Sequence, residues 1–161
     1  MPESNRRHIL LGAAAAVLLA PTADCWAAEG RVSLAPARDL PAEVNQAQRA
    51  GHPLIVLVSL EGCPFCRQVR DAFLGPLRDD RGYQVVQVDL RRRTPVRDFQ
   101  GELTTHDALT NAWKISVAPT VLFLGSKGRE LAGRLVGAYL PDFYGAYLEE
   151  RIDTARMALD K

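Results

Sequence analysis

The chain has 161 residues, 47% of them hydrophobic, and its 20 basic and 19 acidic side chains leave a formal net charge of +1. That size fits one ordinary globular domain plus a short additional piece. The near balance of charge gives no footing for nucleic acid or a membrane surface as partner.

The additional piece is at the start. Arg6 and Arg7 precede an apolar run from Ile9 to Ala20, then Pro21 and a small-residue stretch ending Cys25-Trp26-Ala27-Ala28. Basic, then apolar, then cleavable is the layout of an export signal. At about a dozen residues the apolar run is short of the roughly 20 that a permanent spanning anchor needs. Residues 1–27 are therefore expected to be an export signal removed near Ala27, leaving an exported domain over 28–161. The Arg6-Arg7 pair, followed by His8, Ile9 and Leu10, resembles the twin-arginine export signal, although two basic residues also serve the general secretory route. Thr22-Ala23-Asp24 lacks the leucine and the small residue expected before a lipidated cysteine, which argues against a lipid anchor on Cys25.

Residues 28–38 have little periodicity and read as an irregular lead-in. A helix is predicted from Leu40 to Ala50, capped by Asp39, with Pro41 in its first turn and Gly51 as its stop. The continuous apolar run Leu54 to Leu60 suits a strand buried on both faces, near the middle of a sheet. After Glu61-Gly62 comes Cys63-Pro64-Phe65-Cys66, from which Phe65, Val69, Phe73 and Leu77 recur every four residues as one apolar helix stripe. Pro76 is expected to end or kink that helix, since it has no amide proton for the carbonyl of Ala72. A second strand is predicted over Tyr83 to Leu90, and Arg91 to Gly101 reads as a charged, irregular loop.

Thr104 with Asp107 makes a capping pair for a short helix reaching Trp113. His106, in its first turn, is expected to be exposed. Thr120 to Leu124 and Glu130 to Val136 read as two strands joined by the glycine-bounded turn 125–128. A last helix runs from Pro141 towards Leu159. The strand-helix-strand start favours a parallel pair with a right-handed crossover, and the later hairpin adds antiparallel strands. The predicted architecture is thus α/β, a central mixed sheet flanked by helices on both faces.

A CxxC between a buried strand and a helix has a specific chemical use. The start of a helix offers unpaired amides and partial positive charge, so a cysteine there has its thiolate stabilised below the free value of about 8.5. Cys63 holds that position, and Pro64 sits where a missing amide proton costs nothing. Cys66 lies one turn in, close enough to form a disulfide with Cys63. The pair can attack a partner's disulfide through Cys63 and resolve the mixed disulfide through Cys66, or run in reverse. A purely structural disulfide is a poor alternative, because closing four residues constrains the unfolded chain by only roughly 2 kcal/mol. Metal binding is poorer still: beyond the signal only His52 and His106 remain, neither at useful spacing from the cysteines. No metal or other cofactor is expected.

In this arrangement the chain resembles the thioredoxin-like superfamily over most of residues 50–155. Cys63-Pro64-Phe65-Cys66 after a buried strand, Val117-Ala118-Pro119-Thr120 before the next core strand, and Val136-Gly137-Ala138 before the last helix carry the resemblance in order. It implies a thiol-disulfide oxidoreductase with Cys63 and Cys66 as catalytic residues and Pro64 and Phe65 supporting them. It further implies a cis Pro119 lying against the disulfide and an Ala118 backbone that pairs with an extended substrate segment. The exported context and the Cys-Pro-aromatic-Cys centre are closest to periplasmic members of that superfamily. They imply protein thiols or disulfides as partners and a membrane thiol-relay protein for recycling.

Two departures stand out: Gly62 replaces the tryptophan before the first cysteine, and Leu57 replaces the buried carboxylate six positions before it. Glu61 is a weak substitute for that proton acceptor. The run Arg91-Arg92-Arg93 reads as a solvated loop face, with docking of an acidic partner as the alternative. The expected activity is reductant or disulfide carrier, the alternatives being a net oxidant and a non-catalytic thioredoxin-like binding module.

Overall fold

The computed structural model describes residues 32–138 and 141–159. The expected export signal, its cleavage near Ala27 and Cys25 lie outside the described residues. Among the described residues, no helix is long and apolar enough to cross a membrane.

Five strands form one mixed sheet in the order β1-β3-β2-β6-β7. The centre is β2, Leu54–Ser59, every residue of which is buried. It pairs in parallel with β3, Val85–Asp89, in a register that places Leu57 beside Gln87 and Ser59 beside Asp89. On its other side it pairs antiparallel with β6, Thr120–Leu124, with Val58 opposite Thr120. The edges are β1, Ala35–Pro36, parallel to β3, and β7, Leu135–Val136, antiparallel to β6. The mixed sheet with helices on both faces agrees with the sequence reading. The lead-in, however, contributes a strand of its own, held by parallel bridges too few to leave a pattern.

Helix α1, Leu40–Arg49, starts as expected, with the Asp39 carboxylate accepting from the Ala42 amide at 2.9 Å. It presents Leu40, Val44 and Ala47 to one sheet face, where Leu54, Val56, Val58, Val88 and Leu122 form a core with Leu109 of α4, His106–Ala112. The opposite face carries Ile55, Leu57, Val85, Val121 and Phe123. It is covered by Val69, Leu74 and Leu77, and by Tyr144, Leu148, Ile152 and Ala155 of α5, Pro141–Leu159. Each Val, Leu, Ile or Phe among them removed from water contributes about 1.5–3 kcal/mol, so these two layers hold the sheet in place.

The helix after the cysteines does not end at Pro76. It runs as α2, Pro64–Val69, then a π turn over Arg70–Leu74, then α3, Gly75–Arg81. Because Pro76 cannot donate to the Ala72 carbonyl, the wider π turn just before it takes up the misfit and the helix continues. The extra residue per turn also moves the apolar stripe. Val69, Leu74 and Leu77 are buried, Phe73 is half-buried, and Phe65 is 58% exposed, so Phe65 is not part of the core stripe.

Three further expectations are corrected. The loop from Arg91 to Gly101 contains β4, Pro95–Arg97, which pairs antiparallel with β5, Leu103–Thr105, around buried Val96. The cap of α4 is Thr105, whose hydroxyl accepts from the Ala108 amide at 3.2 Å, and not Thr104. Glu130 makes only an isolated bridge to Leu124, so the last strand begins at Leu135. In the turn between them Gly128 has φ +75° and lies against Phe99, whose ring would stand 2.5 Å from an added Cβ. Phe99 and Trp113 pack against the core.

His106 overturns its sequence reading most fully, for it is completely buried. Its Nδ1 accepts from the Asp89 amide at 3.0 Å, and its Nε2 lies 3.0 Å from the Ala37 carbonyl. An amide can only donate and a carbonyl only accept, so the ring proton is on Nε2. The imidazole ties the end of β3 and the start of α4 to the chain before α1. Its removal would strand two backbone groups, each at a cost of about 1–3 kcal/mol.

Candidate active site

Both cysteines are placed by the passage from β2 into α2. After Ser59 the chain leaves the sheet through Leu60 and turns at Gly62, whose φ of +75° is left-handed and strain-free only for glycine. The tryptophan of the family pattern would be strained in that conformation. Cys63 then takes an extended conformation, φ −75° and ψ 113°, as the cap of α2. Its Sγ accepts from the Cys66 amide at 3.1 Å. Cys63 and Cys66 form a disulfide, with their Cα atoms 5.3 Å apart.

The two sulfurs differ in their surroundings. Cys63 is half-buried and borders an open groove, whereas Cys66 is 1% exposed. Pro64 is exposed as the first residue of α2, and Phe65 beside it is also exposed, forming part of the surface around the disulfide. A partner can reach Cys63 and not Cys66. No acidic residue stands in the first turn of α2, so the free amides there have no carboxylate to satisfy them.

The stretch before β6 approaches from the other side. With Thr120 paired to Val58, the residues before it emerge at the end of the sheet where β2 delivers Cys63. Ala118 and Pro119 are joined by a cis peptide bond, as the resemblance implied. Pro119 is buried and Ala118 half-buried. The Pro119 carbonyl accepts from the Gly137 amide at 2.7 Å, and the Thr120 hydroxyl donates to the Val117 carbonyl at 2.7 Å. Among the described residues no hydrogen bond uses the backbone of Ala118.

A groove of about 350 Å³ borders Cys63 and is lined by Gly62, Glu61, Arg67, Arg70, Asp89 and Arg92 among others. On this sheet face the strands run apolar through Leu57 and then turn polar at Ser59, Gln87 and Asp89. Arg70 donates to Gln87 Oε1 at 3.0 Å, and Gln87 Nε2 to Asp89 Oδ1 at 2.6 Å. Leu57 itself is fully buried and apolar. Glu61 is an exposed residue 3.4 Å from Arg92, so it is an ion-pair partner at the rim and not an internal proton acceptor. The carboxylate that shares the groove floor with Cys63 is Asp89. Sequence reasoning missed it because the relation lies in the β2–β3 register, 26 residues on from Cys63. Among the described residues, no group of three or more His, Cys, Asp or Glu is placed to hold a metal ion.

The model of a thioredoxin-like domain family matches residues 40–152, spanning both cysteines, Pro119 and most of the last helix. This chain belongs to the thioredoxin-like family. Among solved structures the thioredoxin-like chain is similar to the short form of thioredoxin f from spinach chloroplast. The TM-score is 0.50 and the identity 18%, over 80% of this chain and 98% of that one. It is also similar to a thioredoxin from Thermus thermophilus, at 21% identity and TM-score 0.48 over 75% of this chain and 86% of that one. Trxlp from Edwardsiella tarda matches at 24% identity and TM-score 0.48, over 72% of this chain and 98% of that one. No curated protein matches the sequence. At such identities the likeness to solved structures is one of fold. The thioredoxin-like domain and its CxxC disulfide support thiol-disulfide oxidoreductase chemistry at a general level.

Proposed function

We propose that this thioredoxin-like protein is an exported thiol-disulfide oxidoreductase that works as a reductant or disulfide carrier for partner proteins in the periplasm. The observation that carries the reading is the inequality of the two sulfurs, one accessible at the start of a helix and its companion buried one turn in.

In the reduced protein the Cys63 thiolate attacks one sulfur of a partner's disulfide. The partner's other sulfur leaves as a thiolate and takes up a proton. The Cys66 thiol then gives up its proton and attacks Cys63 Sγ, releasing the second partner thiol and forming the Cys63–Cys66 disulfide. Two electrons have passed to the partner. Ala118 and Pro119 present the substrate segment, with the Ala118 backbone pairing to it as an added strand. A membrane thiol-relay protein returns the electrons. The export signal over 1–27 supplies the compartment, and there an unrecycled pair of thiols would stay oxidised.

Insulin reduction by dithiothreitol tests the chemistry. The wild type should accelerate it, Cys63→Ser should fall to the uncatalysed rate, and Cys66→Ser should accumulate mixed disulfides. Equal inertness of wild type and Cys63→Ser would leave only a binding module. The reduction potential tests direction, since reductants lie near about −270 mV and strong oxidants near about −120 mV. Mass measurement of the mature protein tests export, with an N-terminus at Ala28 as the expected result.

A further inference from the structure

The geometry points to a cationic docking rim on the β3 side of Cys63, formed by Arg67, Arg91, Arg92 and Arg93, for an acidic segment flanking the partner's cysteine. It rests on the exchange reaction proposed above and adds the chemical class of the partner.

The sequence alone makes Arg91-Arg92-Arg93 an ordinary solvated loop face. The parallel register changes that reading. With Ser59 beside Asp89 and the Leu90 amide donating to the Ser59 carbonyl at 2.8 Å, the segments leading to Cys63 and to the three arginines leave the sheet side by side. Arg92 accordingly lines the same groove as Cys63, and Arg67 meets it from the helix side. All four arginines are exposed.

The loop is held, not free. The Arg92 carbonyl accepts from the Asp107 amide at 2.9 Å, and the Thr94 carbonyl from the His106 amide at 3.0 Å. The buried His106 ring fixes the Asp89 amide from which the turn begins. Arg91 has φ +62°, a conformation glycine would adopt with less strain, so it is the side chain that this position supplies and not the turn.

Opposing charge is present and limited. Glu61 is 3.4 Å from Arg92, Asp71 is 3.4 Å from Arg70, and Asp89 lies on the groove floor bonded to Gln87. Among the described residues, Arg67, Arg91 and Arg93 have no carboxylate within ion-pair distance. The surplus is positive, and two of its side chains, Arg67 and Arg92, line the groove that Cys63 borders, in a chain whose overall charge is only +1. The positive charge is spread over three consecutive residues of the turn after β3 and over Arg67 on α2, which suits a peptide segment better than a compact anion. The Ala118 backbone on the opposite side of the disulfide suits an extended peptide too.

The test compares exchange rates of the reduced protein with peptide disulfides whose cysteines are flanked by aspartate, by serine or by lysine. Bis(2-hydroxyethyl) disulfide serves as the uncharged reference. At low ionic strength the aspartate peptide should react on the order of tenfold faster than the serine peptide, and the lysine peptide more slowly. The advantage should vanish near about 1 M salt, where screening acts within about 3 Å. Replacing Arg91, Arg92 and Arg93 together by serine should bring the aspartate-to-serine ratio to about 2 or less, and Arg67→Gln alone should lower it measurably. A control with Arg49→Ser and Arg156→Ser should keep the full ratio.

Equal rates for the aspartate and serine peptides, or a ratio that survives the triple substitution, would overturn the assignment. So would an equal loss in the distant control, or oxidised glutathione reacting as fast as the aspartate peptide with the same dependence on the arginines. If bis(2-hydroxyethyl) disulfide reacts and no charge preference is seen, docking alone fails. If no disulfide reacts, the exchange reading fails and takes the rim with it.

Discussion

Two helices of this protein begin in the same local way and use the beginning differently. Helix α1 is capped by Asp39, has Pro41 in its first turn, and keeps Glu43 behind the cap, where Oε1 accepts from the Arg38 amide at 2.8 Å. Helix α2 is capped by Cys63, starts with Pro64, and has no acidic residue in its first turn. At α1 two carboxylates satisfy the free amides permanently. At α2 the acceptor is a sulfur, which is weak while it is disulfide-bonded and strong once it is a thiolate. The same helix end that merely stabilises α1 is left at α2 to favour an anion that appears only on reduction. The lesson is that a cap can be structural or chemical, and the difference lies in whether its charge depends on redox state.

The sharpest way to break this comparison is to give α2 the cap of α1. Cys63→Asp should abolish insulin reduction, a loss on the order of a thousandfold or more, since the accessible nucleophile is gone and the remaining Cys66 thiol is buried. Its melting transition should be at least as high as that of Cys63→Ser with the other thiol blocked, because aspartate is as good a cap as serine and carries the charge that the helix end favours. The converse substitution, Asp39→Ala, should lower stability by about 1 kcal/mol in denaturant titration while leaving the exchange rate of the folded protein unchanged.

The smallest effect is in the pH dependence of α1. Burial raises the Glu43 carboxyl above its ordinary value of 4.5, outweighing the two backbone amides that favour its anion. The folded state therefore binds more protons than the unfolded one between 4.5 and the raised value, and the contribution to stability is lost as pH rises through that interval. The difference in stability between wild type and Glu43→Gln, followed from pH 4 to 7 by denaturant titration, should move in that direction. A flat difference would mean that burial of Glu43 is not felt.

What could be read in advance was set by local chemistry. The Asp39 cap, the all-buried β2 and the strand over Thr120–Leu124 each carry their signal in a few adjacent residues. The CxxC was legible for the same reason, strand and helix periods meeting at two cysteines. What stayed hidden depends on pairing across the chain. Strand β1 is two residues long and has no pattern of its own, and β4 and β5 are three residues each in a charged stretch. His106 looks like an exposed first-turn residue until Ala37 and Asp89, 69 and 17 positions away, converge on its ring. Phe65 follows the four-residue rhythm of the stripe, but at the exposed start of α2 it has no core to meet. The nearness of Asp89 and Arg92 to Cys63 comes from the β2–β3 register alone.

Titration of the Cys63 thiol in the reduced protein, by its rate of alkylation against pH with Cys66→Ser as background, tests the central claim most directly. The expected midpoint is clearly below the free-thiol value of about 8.5, set by the helix amides around Sγ. A midpoint at or above that value would mean that the start of α2 does not favour the anion, and the contrast with α1 would be lost.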